Sequence, residues 1–269
     1  MPLILHGTRS DRVFHIVVLS ALSILVFFLI LLIISLVATA DLTLFFRSLF
    51  SDEARFAISL SLITATISTA LAIIISIPAA YAVSQFNFPG KDIVDSLLDL
   101  PIVLSPLALG AVLLIFFNTP VGSFIDKNVI RFSFAVPGIV LAQVVVITAL
   151  AVRLLKSTFD SIDPRYELVS RTLGCSKFRA FIKVTLPLAK NGLISAAILT
   201  WARAVGEFGA TMMLAGATFM KTETLPIAIM LSLGSADVNK AIALIFILII
   251  IAMIALFFMR KVMHGSYHL

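Results

Sequence analysis

Six long apolar segments constrain this chain more than any other feature of its sequence. Each approaches the roughly 20 consecutive apolar residues that a helix needs to cross about 30 Å of hydrocarbon. They cover residues 16–37, 56–82, 97–117, 134–155, 192–215 and 242–258. Charged residues make up only 13% of the chain, about half the share found in soluble domains, and 61% of residues are hydrophobic. The sequence therefore predicts an all-α integral membrane protein with six transmembrane helices.

Two apolar stretches are expected to depart from a regular span. The third contains Pro101 and Pro106, which remove helical hydrogen bonds, so we expect an irregular start or a kink there. Asp99, near its beginning, is expected to cap a helix or to form an ion pair. A further apolar stretch, residues 225–233, is too short to span. Because Pro226 opens it, we interpret it as a re-entrant or interfacial element on the outer side.

The lysines and arginines predict the orientation. Thirteen of the twenty lie in segments on the same side as the N-terminus, and this bias predicts that both termini face the cytoplasm of a cell membrane. The excess of positive charge, which is +6 over the whole chain, therefore faces anionic lipid or a cytoplasmic partner rather than nucleic acid.

The cysteine and histidine residues indicate neither a disulfide nor a metal site. A lone Cys175 excludes an internal disulfide. The four histidines lie near the termini and give no metal-ligand spacing: His6, His15, His264 and His268.

Residues 153–190 form the one long hydrophilic segment between apolar stretches, and they read as two short amphipathic helices. Asp163 is a suitable N-cap with Pro164 at the first helical position, and Gly174 can end the helix in a left-handed conformation. The apolar positions recur at helical spacing: Tyr166, Val169 and Leu173.

A second helix is predicted to begin at Ser176 and to stop before Pro187. Phe178, Phe181 and Ile182 would lie on one side of it. Two interpretations fit this pair of helices. They could lie on the membrane surface, or they could form a docking element whose first helix enters a groove of a soluble partner. Spacing alone leaves both open.

The fifth apolar segment carries two opposite charges. Arg203 and Glu207 stand at i and i+4, so on a continuous helix they share a face and can pair. A charge at the membrane centre costs about 2.5–3.5 kcal/mol, so the pair should face protein or water. Ala202, Gly206 and Ala210 form an adjacent small-residue column that permits close helix contact. The ion pair either holds two helices together or takes a direct part in a gate or an anion path.

The hydrophilic segment resembles the signature loop of type I ABC importer permeases. That signature runs Glu-Ala-Ala, three residues, Gly, nine residues, then Ile-x-Leu-Pro. Residues 170–174 match its Ala-x-x-x-Gly part, and residues 184–187 match Ile-x-Leu-Pro at the expected distance. The nearest acid, Glu167, stands one place early, so shape and spacing carry the resemblance more than this carboxylate.

The resemblance implies the type I ABC importer permease fold, with a cytoplasmic two-helix coupling loop between helices 4 and 5. The permease core would cover residues 56–258, preceded by residues 1–55 with the first transmembrane helix and followed by a short cytoplasmic tail, 259–269. The first short helix would be seated on an ATPase subunit. The residues implied in ATPase coupling are Arg165, Tyr166, Glu167, Leu168, Val169, Ser170, Arg171, Thr172, Leu173, Gly174, Leu186 and Pro187.

The same resemblance implies partners. The sequence contains no Gly-x-x-x-x-Gly-Lys-Ser/Thr phosphate loop, so ATP hydrolysis must belong to a separate polypeptide. We therefore predict a non-catalytic transport subunit that itself binds no cofactor, while the partner uses ATP and Mg. Two copies of this chain would form one path by alternating access, together with two ATPase subunits and one extracytoplasmic oxyanion-binding protein.

The cargo prediction rests on residues 203–211 followed by 224–229, which resemble the molybdate/tungstate branch of these permeases. The sulfate/thiosulfate branch shares Arg-Ala-x-Gly-Glu and is the alternative. An ion-gradient-driven carrier or channel would need internal repeats and ionisable groups through several spans, whereas one span here is doubly charged. A membrane-embedded enzyme lacks a catalytic set of residues.

Overall fold

The computed structural model describes residues 9–39 and 41–264, and these residues are almost entirely helical. In chain order they form α1 (Arg9–Ala38), α2 (Leu42–Leu49), α3 (Asp52–Gln85), α4 (Lys91–Val103), α5 (Pro106–Phe117), α6 (Pro120–Asn128), α7 (Val136–Asp160), α8 (Arg165–Thr172), α9 (Lys177–Ala180), a π-helical turn (Phe181–Thr185), α10 (Leu186–Leu188), α11 (Lys190–Val205), α12 (Gly209–Ala215), α13 (Leu225–Gly234) and α14 (Val238–His264). The predicted all-α class is confirmed. His6, His268 and residues 265–269 of the predicted tail lie outside the described residues.

Four helices are long and apolar enough to cross a membrane, namely α1, α3, α7 and α14. The count reaches six when two bent helix pairs are each taken as one span, which agrees with the predicted six. The predicted short apolar element is the separate helix α13, with Pro226 in its first turn. The backbone N–H of Leu225 at its start donates to Ser61 Oγ of α3 at 2.7 Å.

The centre of the bundle is built from α3, α7 and α11. Alanines on α3 and α11 let the three helices approach closely around Ile147 of α7. The buried Gln143 amide joins all three, because its Oε1 accepts from Ser68 Oγ at 2.8 Å and its Nε2 donates to the Ala204 carbonyl at 3.1 Å. A buried polar group that is bonded on both sides fixes the relative register of the helices that it joins.

The third predicted span is broken. An angle of 108° separates α4 from α5, and Leu104 and Ser105 between them have extended backbones. Ser105 Oγ accepts from the Ala108 N–H at 3.2 Å, and Pro106 begins the new helix. The expected irregularity is confirmed, but its position is Pro106. Pro101 lies inside α4 without ending it.

The fifth predicted span, residues 192–215, is not one helix, so that prediction is wrong. The helix α11 ends at Val205, and α12 begins only at Gly209. A new helix can start here because the Glu207 carboxylate accepts from the Ala210 N–H in its first turn. The break also lies against the other break, since a Cβ on Gly209 would be 2.8 Å from the backbone N of Leu107. Because Gly209 has no side chain, the two breaks can pack directly against each other.

Two short helices were not expected from the sequence. Asp41 caps α2 by accepting from the N–H groups of Thr43 and Leu44, at 2.9 and 3.2 Å. The hydroxyl of Thr43 contributes most to lowering the pKa of Asp41, and these two amides add to the effect. Thr119 similarly caps α6 before Pro120. Both helices carried local start signals, but short helices between apolar spans have no periodicity long enough to reveal them.

Candidate functional site

The first helix of the predicted coupling loop forms as expected. Asp163 Oδ1 accepts from the Arg165 N–H at 2.9 Å at the start of α8, and Pro164 already has a helical conformation. Gly174 has φ +91°, its N–H donates to the Arg171 carbonyl, and the N–H of Cys175 donates to the Ser170 carbonyl. These two bonds form a Schellman motif, which ends a helix at a left-handed glycine. The predictions for Asp163 and Gly174 are confirmed.

The second helix differs from its prediction. Ser176 caps it by accepting from the Arg179 N–H at 3.4 Å, as expected. The helical run does not stop before Pro187: a π-turn replaces the regular turn over Phe181–Thr185, and the helix continues to Leu188. A π-turn shifts the hydrogen-bond register by one residue, which accommodates a proline without an N–H. The run then bends by 71° into α11.

The outer face of α8 is apolar and uncovered within the chain. Tyr166 and Val169 are 59% and 58% exposed, and Leu173 is 82% exposed. Phe178, at the start of α9, is also exposed, at 71%, but it lines the cavity between α3 and α8 together with Glu167. We call Tyr166, Val169 and Leu173 the coupling face. A contiguous apolar patch on a short rigid helix is typical of a protein contact. Phe178 and Phe181 line this same cavity, as their spacing predicted, and Phe181 also packs against Tyr81 and Phe159.

Glu167 points the other way, into the body of the chain. Both of its carboxylate oxygens accept from the Tyr81 hydroxyl of α3 at 2.9 Å. Its Oε2 also accepts from the buried Thr185 hydroxyl of the π-turn at 3.1 Å. We call Tyr81, Glu167 and Thr185 the clamp. This carboxylate, displaced by one position from the family signature, ties the first helix of the loop both to α3 and to the second helix.

The remaining predicted coupling residues divide by position. Ser170 and Thr172 bond to carbonyls within α8, and Arg165, Leu168 and Arg171 are exposed beside the coupling face. Leu186 and Pro187 lie beyond the π-turn. A cavity of about 580 Å³ separates the end of α3 from α8 and α9, with Gln85, Glu167 and Phe178 among its walls.

A second charged cluster joins α4 to α7. Arg153 pairs with Asp95 at 2.8 Å and with Asp99 through two guanidinium nitrogens. The pairing expected for Asp99 is confirmed, and its partner Arg153, which the sequence places at the start of the long hydrophilic segment, lies on α7. The i, i+4 spacing of Asp95 and Asp99 was the available signal, since it places both carboxylates on one face of α4.

Arg203 and Glu207 do pair, although not on a continuous helix. Arg203 Nη1 lies 2.7 Å from Glu207 Oε2, and Glu207 Oε1 accepts from the Ala210 N–H at 3.0 Å. Glu207 therefore bridges the break, holding the last turn of α11 and the first turn of α12. The expected column of Ala202, Gly206 and Ala210 is not formed, because the three residues no longer share one helix.

A helical membrane bundle with this glycine-terminated two-helix loop has the architecture of an ABC importer permease. The family model described as the inner membrane component of binding-protein-dependent transport systems matches residues 72–264. The chain belongs to this family, and is thus a multi-pass membrane permease.

The relatives include a probable molybdenum ABC transporter permease of Haloferax volcanii, which is 37% identical, with 71% of this chain and 69% of that protein covered. A molybdate/tungstate transport system permease of Thermococcus kodakarensis is 34% identical over 68% of this chain and 70% of its own length. A sulfate transport system permease of Escherichia coli is 33% identical over 72% and 66%.

Among solved structures, a bacterial alginate ABC transporter, crystallised with an alginate pentasaccharide-bound periplasmic protein, contains a chain of the same fold. Its TM-score is 0.75 at 16% identity, covering 96% of this chain and 95% of that one. The predicted type I permease fold is therefore confirmed.

Proposed function

We propose that this chain is the permease subunit of an ATP-driven importer that passes molybdate or tungstate inward. The relatives named for molybdenum and for molybdate/tungstate transport carry this proposal, since each is at least 34% identical over about two thirds or more of the chain. Sulfate is the second candidate, favoured by the 33% identical sulfate permease. All three cargoes are tetrahedral dianions.

The proposed assembly contains two copies of this chain, two ATPase subunits and one extracytoplasmic oxyanion-binding protein. The exposed coupling face supports an ATPase contact, with the other predicted coupling residues from Arg165 to Gly174 around it. ATP and Mg would be used by the ATPase, and this chain would hold no cofactor. Both termini would lie in the cytoplasm, and the permease core would cover residues 56–258. Leu186 and Pro187 would transmit movement from the loop into α11.

Reconstitution into proteoliposomes tests this function. We expect ATP-dependent molybdate uptake when this chain is combined with its ATPase and binding protein, and competition by tungstate. Uptake of sulfate in preference to molybdate would select the second candidate. Uptake that continues without the ATPase or without ATP would contradict the proposed ATP-driven import and would favour a gradient-driven carrier.

The clamp is expected to couple ATP hydrolysis to transport. Hydrogen bonds to a charged group contribute about 1.5–3 kcal/mol each, so removing them should let α8 move independently of α3. In Glu167→Ala and Tyr81→Phe we expect ATP hydrolysis to continue while the amount of molybdate moved per ATP falls about five-fold or more. Parallel uptake and phosphate-release assays on proteoliposomes measure this ratio.

Ser84→Ala is the matched control for the clamp. It also removes a hydroxyl of α3 that donates to a carboxylate, but this carboxylate belongs to Asp160 of α7 and not to the loop. Its transport-to-hydrolysis ratio should equal that of the wild type. A wild-type ratio in Glu167→Ala would exclude the coupling role.

A further inference from the structure

We propose that Arg203 is a transient binding contact for the tetrahedral oxyanion as it crosses the membrane. This inference rests on the proposed import of such an anion. It assigns the contact to a particular guanidinium at the break between α11 and α12, and gives Glu207 the separate task of holding that guanidinium in place.

The two members of the pair differ sharply in exposure. The Glu207 side chain is 1% exposed, whereas that of Arg203 is 38% exposed. Because an arginine has five N–H donors, the 2.7 Å pairing through Nη1 leaves donors that a second anion can reach. Gly206, exposed beside it, has no side chain to block the approach. An oxyanion can therefore bind Arg203 without displacing Glu207.

The surroundings of Arg203 suit a water-filled path better than a lipid-facing surface. The break that ends α11 packs through Gly209 against Pro106 and Leu107 at the break between α4 and α5. At this second break Leu104 and Ser105 are exposed, with non-helical backbone. Irregular backbone at membrane depth is tolerated only where it is covered by protein or lines an aqueous cavity. Broken helices form substrate sites in other transporters for the same reason.

The carboxylate of Glu207 also weakens the binding of the oxyanion at Arg203, so that the anion can be released. A path must bind an ion well enough to admit it and weakly enough to release it. The buried carboxylate neutralises the formal charge of Arg203, whose side chain nevertheless stays 38% exposed. Replacing Glu207 by glutamine keeps an acceptor for the Ala210 N–H but removes the opposing charge. A dianion should then bind more tightly and leave more slowly.

Chemical protection tests the binding directly. The purified permease–ATPase complex is treated with phenylglyoxal, which modifies arginine, and modification at Arg203 is quantified by peptide mass spectrometry. Molybdate or sulfate should slow this modification several-fold relative to chloride at equal ionic strength. Arg55, exposed and paired with Asp52, is the internal control and should be unaffected. Equal protection of both arginines, or of neither, would overturn the proposal.

In Glu207→Gln the half-protecting molybdate concentration should fall at least about tenfold, because removing a charge a few ångströms from a dianion changes the binding free energy by more than about 1.4 kcal/mol. Molybdate turnover in proteoliposomes should fall as well. An unchanged protection curve would contradict the role given to Glu207.

Removing Arg203 alone would leave a buried carboxylate unpaired, which destabilises folding by itself. The double variant R203Q/E207Q avoids this, because two amides can bond to each other and still cap α12. We expect it to assemble with the ATPase but to lose molybdate uptake at least 20-fold. Wild-type uptake by this variant would overturn the proposal. If wild-type proteoliposomes import no oxyanion, the proposed function fails, a result distinct from any protection measured at Arg203.

Discussion

Leu173→Asp should abolish transport while leaving the permease folded. Leu173 is the most exposed residue of the coupling face, at 82%, so a carboxylate there costs the isolated chain almost nothing. Against an ATPase surface that accepts an apolar side chain, the same carboxylate must be desolvated without a partner. We expect at least a 100-fold loss of affinity for the ATPase, which corresponds to about 3 kcal/mol. Co-purification of the ATPase with the tagged permease, together with the thermal stability of the permease alone, measures both effects.

Val129→Asp is the matched control for this variant. Val129 is similarly apolar and 66% exposed, but it precedes α7 whereas Leu173 follows it. The 25 residues of α7 separate the two sites by roughly 37 Å. The Val129 variant should therefore retain the ATPase. Retention of the ATPase by Leu173→Asp as well would show that the contact lies elsewhere on the chain.

Gly209→Val should prevent the bundle from assembling. A Cβ at this position would meet the Leu107 backbone N at 2.8 Å and Pro106 at 3.2 Å, and backbone atoms in a packed helix cannot move aside as a flexible side chain would. Overpacking costs about 1–3 kcal/mol and occasionally more, and a clash with backbone atoms belongs at the upper end of this range. We expect a large loss of folded, detergent-soluble protein, measured by size-exclusion chromatography after heating.

Gly234→Val provides the comparison, since a Cβ there has no atom within 4 Å. It makes the same chemical change at the end of α13, and its yield and heat resistance should match the wild type. If Gly209→Val behaves like Gly234→Val, the close contact between the two helix breaks does not contribute to stability.

The sequence predicted features whose causes are local. Asp163, Gly174 and Ser176 act through the backbone within a few residues of themselves, so their caps could be identified without knowledge of the fold. Apolar segments long enough to span were recognisable for a similar reason, because length and composition alone decide whether a helix can lie in hydrocarbon.

Features that depend on distant contacts were missed or misassigned. The pairing of Arg203 with Glu207 was predicted on the assumption of a continuous helix, which the structure does not have. The pair forms nevertheless, because α11 ends at Val205 and Glu207 follows only two residues later. The break packs through Gly209 against Leu107, about one hundred residues away in sequence. The clamp depends on Tyr81, which no motif connects with Glu167. Pro187 predicted a helix end because no sequence pattern indicates the π-turn that lets the helix continue through this proline.

The paired breaks have a consequence for how the chain enters its membrane. With 12 and 7 residues, α5 and α12 are only about 18 and 10 Å long, so neither can cross the bilayer by itself. The insertion machinery responds to the apolarity of a whole segment, and residues 97–117 and 192–215 are each largely apolar, with Asp99 in the first and the opposite charges of Arg203 and Glu207 in the second. Both are therefore expected to enter as simple spans and to bend only when Gly209 reaches Leu107, which makes this contact a late step of maturation inside the lipid.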